Sequence, residues 1–195
     1  MVGLSQVRKA ASSYFTNPVV RILARTPVAP SALTWLGFVL AIAAAVLVTT
    51  EQLLAAGLVV LVAGFFDMLD GALARRTNRV SRFGAVLDSA LDRLSEGVLL
   101  LGILVLFARE REVAGVLLVG IALIASLLVS YIKARAEALG LECAVGLFTR
   151  PERVIVLVLG LLLNQLVIAL AIIAAFSLFT AGQRLVHVLR QAKNG

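Results

Sequence analysis

The sequence has a single cysteine, Cys143, and so no means of forming an intrachain disulfide. Its thiol is expected to serve as a small buried hydrophobe. Charge is also scarce: Asp, Glu, Lys and Arg make up 15% of 195 residues, and none occurs from 154 to 183. Neither a low-complexity linker nor an internal repeat divides the chain, which predicts one domain over 1–195. The short alternating segments of a membrane β-barrel are missing, and long continuous apolar runs stand in their place. No cleavable signal peptide is expected, because the first apolar run begins only after about 25 residues and is long enough to stay in a bilayer.

What is abundant is apolar side chain. Hydrophobic residues account for 61% of the sequence and the mean hydropathy is +1.04. A soluble domain of this size has too little interior for that much, so the solvent is lipid and the predicted fold is an all-α integral membrane protein. The runs predict six transmembrane helices: 31–50, 53–75, 81–107, 113–132, 151–163 and 166–190. The fourth continues as helix through Lys133 and Arg135 toward Gly140. The uncharged stretch after 154 would run roughly 45 Å as one helix, against a hydrocarbon core of about 30 Å, so Asn164-Gln165 is read as a break that leaves the fifth span short. Trp35 lies near the start of the first span, where a headgroup-level role and plain packing both fit.

Residues 3–15 put Leu4, Val7, Ala11 and Phe15 at helical spacing with Arg8 and Lys9 on another side. This predicts an N-terminal amphipathic surface helix whose bases meet anionic headgroups of membrane lipids. Residues 1–25 then form an interfacial helix and linker, and 31–190 a six-helix bundle.

The net charge of +7 would suit a nucleic-acid binder, but the bases are sorted along the chain instead. The N-terminal region, the 75–82 link, the 133–153 region and the C-terminus hold every Lys and Arg except Arg93, Arg109 and Arg111. By the positive-inside rule those regions face the cytosol, and only an even number of spans keeps Arg184, Arg190 and Lys193 with them. The chain is therefore expected to be multi-pass in the cell membrane, both termini cytosolic, without a nucleic-acid partner.

Against this apolar background, Asp67 and Asp70 close the second span and Asp88 and Asp92 open the third. An ionised carboxylate in a span is expensive and marks function by default. Spacings of three and four place each pair on one helical face, so two pairs can build one site. Hard divalent cations take such oxygen ligands, and two ions sharing carboxylates can clamp a phosphate under attack. Gly71 and Gly84 allow close approach of ligand or backbone, and Arg75 can fork onto a phosphate. The polar link that follows places the site at a shallow, cytosol-facing depth.

The stretch Asp67-x2-Asp70-Gly71-x2-Ala74-Arg75-x8-Gly84-x3-Asp88-x3-Asp92 matches the signature of the CDP-alcohol phosphotransferase family at each specified position. From about 17 to 190 the chain resembles most closely the phosphatidylinositol phosphate synthase branch. The resemblance implies a phospholipid-synthesising transferase: an acceptor hydroxyl attacks the lipid-side phosphorus of a CDP-lipid, CDP-diacylglycerol for instance, and CMP leaves. It implies two divalent ions, Mg2+ or Mn2+, with Asp67, Asp70 and Asp88 as metal ligands and Asp92 as both a metal ligand and the catalytic base. It places Gly71, Arg75 and Ser81 on the CDP group, with Gly84 admitting it. The segment Pro30-Ser31-Ala32-Leu33-Thr34 resembles the family's other nucleotide-contacting turn. A homodimer is also implied.

For the acceptor, Lys133, Arg153 and Arg184 fall at the cytosolic ends of three spans, where converging cations can catch a phosphorylated alcohol. Arg150-Pro151-Glu152-Arg153 is similar to the inositol-phosphate branch, making inositol 1-phosphate the leading acceptor and phosphatidylinositol phosphate the product, with glycerol 3-phosphate as alternative. Bases at cytosolic helix ends also follow from topology alone. His187 reads as an interfacial polar residue, since the motif already supplies Asp92. An ion-coupled transporter would also place carboxylates in spans, but broken midplane helices and related halves are not seen. A membrane-bound interaction module leaves the four aspartates unexplained.

Overall fold

The computed structural model describes residues 19–194, and the amphipathic reading of 3–15 lies outside them. Among the described residues six long helices follow one another: α1 (Pro30–Thr49), α2 (Leu53–Arg76), α3 (Arg82–Arg109), α4 (Val113–Ala138), α5 (Arg150–Leu162) and α6 (Leu166–Asn194). No strand is present among them. Residues 19–23 form a short helical stretch ahead of α1.

Tight reversals separate the helices because single residues adopt left-handed backbone. Glu51, Arg111 and Asn164 have φ of 63°, 59° and 54°. In each case the next amide reaches five residues back, Gln52 to the Leu47 carbonyl, Glu112 to Phe107 and Gln165 to Gly160, at 2.8–2.9 Å. Gly140, φ 73°, ends α4 in the same way, with Leu141 N–H donating to the Ala136 carbonyl and Gly140 N–H to Glu137. At the other end of that loop Thr149 and Glu152 form a capping box that starts α5, with Pro151 in its first turn.

α1, α2, α4 and α6 are long and apolar enough to cross a membrane. α3 has the length but carries Asp88, Asp92, Arg93 and Glu96 within its first 15 residues. α5, with 13 residues, rises only about 20 Å and falls short of a full hydrocarbon core.

The chain forms two compact units, each drawn from two stretches. The first takes α1 as far as Ala43, α2 from Val59, and α3 as far as Glu96. Its core is Val20, Leu33, Leu69 and Leu73, with Leu23, Val28, Phe65 and Phe66 packed around them. The second takes the far ends of those three helices and all of α4, α5 and α6. There α4 presents Ala122, Ala125, Ser126 and Val129 at helical spacing, and α6 presents Ala169, Leu170, Ile173, Ala174, Ser177 and Ala181, all buried. Small side chains at such contacts let membrane helices approach closely. Arg109, read from sequence as part of a solvated charge run, donates through Nη1 to the Thr49 carbonyl at the end of α1 (2.9 Å).

Candidate active site

The first unit contains all four aspartates. Asp67 and Asp70 lie on α2, Asp88 and Asp92 on the second and third turns of α3. Asp70 is the most enclosed, 5% exposed, and its carboxylate lies within electrostatic reach of both Asp67 and Asp88. Helical spacing continues the row from Asp88 through Asp92 to Glu96, all three half-buried.

Two residues of α1 support this acidic face. The Thr34 side chain, buried, hydrogen-bonds the Asp70 carboxylate and also reaches the Pro30 carbonyl at 3.3 Å. A Cβ added at Gly37 would sit 3.0 Å from Asp67 Oδ1 and 3.6 Å from the Ala63 carbonyl, so a side chain here would require the carboxylate to shift by a few tenths of an ångström. Sequence reasoning did not single out either residue for this role. The available signal was their three-residue spacing on one face of α1.

Asp70 Oδ2 is buried and has no hydrogen-bond partner. A carboxylate oxygen removed from water without a donor is costly, and an electrophile satisfies it directly. Among the described residues the acidic groups do not draw together into a closed cage of three or more ligands. Magnesium-type sites are normally held by a few carboxylates and completed by water and substrate phosphate rather than by an all-protein cage. The oxygen donor set thus fits a hard divalent ion.

The residues expected at the CDP group are placed variously. Arg75 is exposed at the end of α2, its Nη1 3.4 Å from where a Cβ on Gly71 would be. Ser81 caps α3, its Oγ accepting from Gly84 N–H at 3.0 Å, and a Cβ on Gly84 would come within 3.1 Å of that oxygen. Pro30, Ser31 and Ala32 form the opening turn of α1 rather than a separate turn, with Pro30 and Ser31 half-buried and Ala32 exposed. Leu33 points into the core with Leu69 and Leu73, so its side chain is committed to packing.

The basic residues expected at the acceptor belong to the second unit. Arg153 is 1% exposed and Arg184 5%, and they are near enough for their positive charges to oppose one another. Arg184 donates from Nε to the Val145 carbonyl (2.9 Å) and from Nη1 to the Val129 carbonyl (2.5 Å). Lys133 is not enclosed with them. It is 48% exposed and pairs with Glu137 one turn along α4 at 3.6 Å. His187 shares a hydrogen bond with Gln191 (2.8 Å), and Cys143 is buried.

Residues 27–182 match the family model described as CDP-alcohol phosphatidyltransferase. The chain is 38% identical to archaetidylinositol phosphate synthase of Methanothermobacter thermautotrophicus, with 91% of this chain and 94% of the relative covered. It is 40% identical to phosphatidylinositol phosphate synthase of Mycobacterium marinum, covering 92% and 82%. The crystal structure of Mycobacterium tuberculosis phosphatidylinositol phosphate synthase with CDP-DAG bound superposes with a TM-score of 0.82 at 38% identity, over 89% and 92% of the two chains. A second structure of that protein, in complex with manganese and citrate, gives 0.81. An intact acidic signature, a shared helical fold and identity across most of the length agree: this chain is a multi-pass integral membrane enzyme belonging to the CDP-alcohol phosphatidyltransferase family.

Proposed function

We propose that this enzyme transfers a phosphatidyl-type group from a CDP-lipid, CDP-diacylglycerol or an ether-linked counterpart, to inositol 1-phosphate, releasing CMP. The observation that carries the acceptor is the pair Arg153 and Arg184, two guanidinium groups enclosed in one unit, suited by charge and geometry to an anionic phosphate. The relatives named archaetidylinositol phosphate synthase and phosphatidylinositol phosphate synthase support an inositol phosphate acceptor.

In this reading Asp67, Asp70, Asp88 and Asp92 hold two divalent ions, Mg2+ or Mn2+. When bound, such ions supply charge neutralisation at the pyrophosphate. Asp92 takes the proton of the acceptor hydroxyl. The hydroxyl oxygen bonds to the lipid-side phosphorus, the bond from that phosphorus to the CMP oxygen breaks, and CMP leaves with the electron pair. Gly71, Gly84 and the opening turn of α1 at Pro30, Ser31, Ala32 and Leu33 give the nucleotide backbone to lie against. Arg75 and Ser81 contact its phosphates.

Lys133 is held by an exposed ion pair worth under about 1 kcal/mol, so it can leave Glu137 for the acceptor phosphate. All six helices cross the bilayer, α5 incompletely, with both termini and the acidic residues on the cytosolic side where the bases concentrate. The working form is a homodimer.

CMP release from a CDP-lipid tests the proposal when the acceptor is varied across inositol 1-phosphate, inositol, glycerol 3-phosphate and serine. Turnover with inositol 1-phosphate alone is expected. Turnover with glycerol 3-phosphate in its place would keep the reaction and replace the acceptor.

A further inference from the structure

On α6, Phe176, Thr180 and Arg184 follow one another at single-turn intervals and grip one loop. The Phe176 ring lies 5.5 Å from that of Phe148. One turn on, Thr180 Oγ1 accepts from the Phe148 N–H at 3.2 Å, with Thr180 fully buried. One turn further, Arg184 Nε donates to the Val145 carbonyl, while Nη1 ties the same guanidinium to Val129 of α4. Gly146 passes between the second and third of these grips at φ 132°. A Cβ there would lie 2.9 Å from Thr180 Cγ2 and 3.0 Å from Arg184 Nε, so a side chain at this position would push against both residues.

What this loop leads into makes its seating matter. Phe148 immediately precedes Thr149, the N-cap of α5, and the Arg153 N–H donates to the Thr149 carbonyl at 3.2 Å. Fixing the Phe148 amide therefore fixes the first turn of α5, and with it the origin of the Arg153 side chain.

We infer that Thr180 is a positioning residue for acceptor recognition: through Phe148 and the α5 cap it sets where Arg153 presents its guanidinium. The inference rests on Arg153 binding the acceptor phosphate. It adds a residue outside the acidic motif that governs acceptor use without touching substrate. The Thr180 hydroxyl oxygen is the operative atom, and its methyl group closes the space over Gly146.

The test is steady-state kinetics of the full-length enzyme in detergent, with inositol 1-phosphate and CDP-diacylglycerol varied separately. Thr180→Val keeps the shape and removes the acceptor oxygen, while Thr180→Ser keeps the oxygen. Thr180→Val should raise the KM for inositol 1-phosphate roughly five- to tenfold, the scale of one lost hydrogen bond, with the CDP-diacylglycerol KM within about twofold. Thr180→Ser should restore the acceptor KM. Thr180→Ala removes the same acceptor oxygen without adding a methyl group and should produce the same selective rise, which keeps the test available if Thr180→Val does not fold.

An equal effect on both substrates, a change in kcat alone, or failure of serine to rescue overturns the inference. Arg153→Ala, measured alongside, separates the two layers. A selective acceptor defect there without one in Thr180→Val overturns the positioning role and leaves the Arg153 pocket standing. No acceptor defect in either overturns both.

Discussion

Asp67 Oδ1 lies close against Gly37, only 3.0 Å from where a Cβ on that residue would stand. The acidic face is thus shaped from α1 as well as from the two helices that bear the aspartates. Gly37→Ala should lower turnover by up to about tenfold by displacing a carboxylate a few tenths of an ångström. Stability should hold or rise, since alanine is the better helix former by about 1 kcal/mol. Turnover and thermal melting of the same preparation check this, and a melting loss matching the activity loss would assign Gly37 to packing instead.

Asp92→Asn removes the proposed proton acceptor and a negative charge while changing almost no volume. CMP release should fall by about 10²-fold or more, and the protein should still elute as folded material of the same size as the parent. Normal turnover in this variant would sink the catalytic assignment.

The lone buried oxygen of Asp70 makes a separate prediction about cations. Chelation should stop CMP release, and added Mn2+ or Mg2+ should restore it. In Asp70→Asn the half-saturating Mn2+ concentration should rise roughly tenfold or more. An unchanged Mn2+ titration would mean that Asp70 Oδ2 faces something other than a metal.

Ser81 has one role visible in the fold, capping α3, and one proposed, contacting the CDP phosphates. Substitution can separate them. Ser81→Ala should lose about 1 kcal/mol of stability with the cap. Ser81→Asp preserves a cap but sets a carboxylate near the donor phosphates, so it should melt like the parent and show a KM for CDP-lipid raised roughly tenfold or more. A fully active Ser81→Asp enzyme would leave Ser81 with the cap alone.

The helices were legible in the sequence because their limits are local. Apolar runs end at Glu51-Gln52, at the charges after Arg75, at Arg109 to Glu112 and at Asn164-Gln165, and the chain reverses at those places. The pairing of Asp67 with Asp70 and of Asp88 with Asp92 was equally local, fixed by the pitch of the helix. The family followed from residue type and spacing.

Tertiary structure decided which groups those side chains meet. Thr34 and Gly37 support Asp70 and Asp67 only because α1 packs against α2 with one particular face, a matter of non-local shape that spacing within α2 does not encode. Lys133, Arg153 and Arg184, the bases expected at the acceptor, all read from the sequence as charges at helix ends. In the fold Lys133 turns out to Glu137, while Arg153 and Arg184 are enclosed and Arg184 gives two of its donors to backbone carbonyls. The sequence determined which charges the membrane region contains and on which helices they ride. Their division into exposed, enclosed and backbone-bound groups came from helix packing, because burial is a property of neighbours distant in the chain.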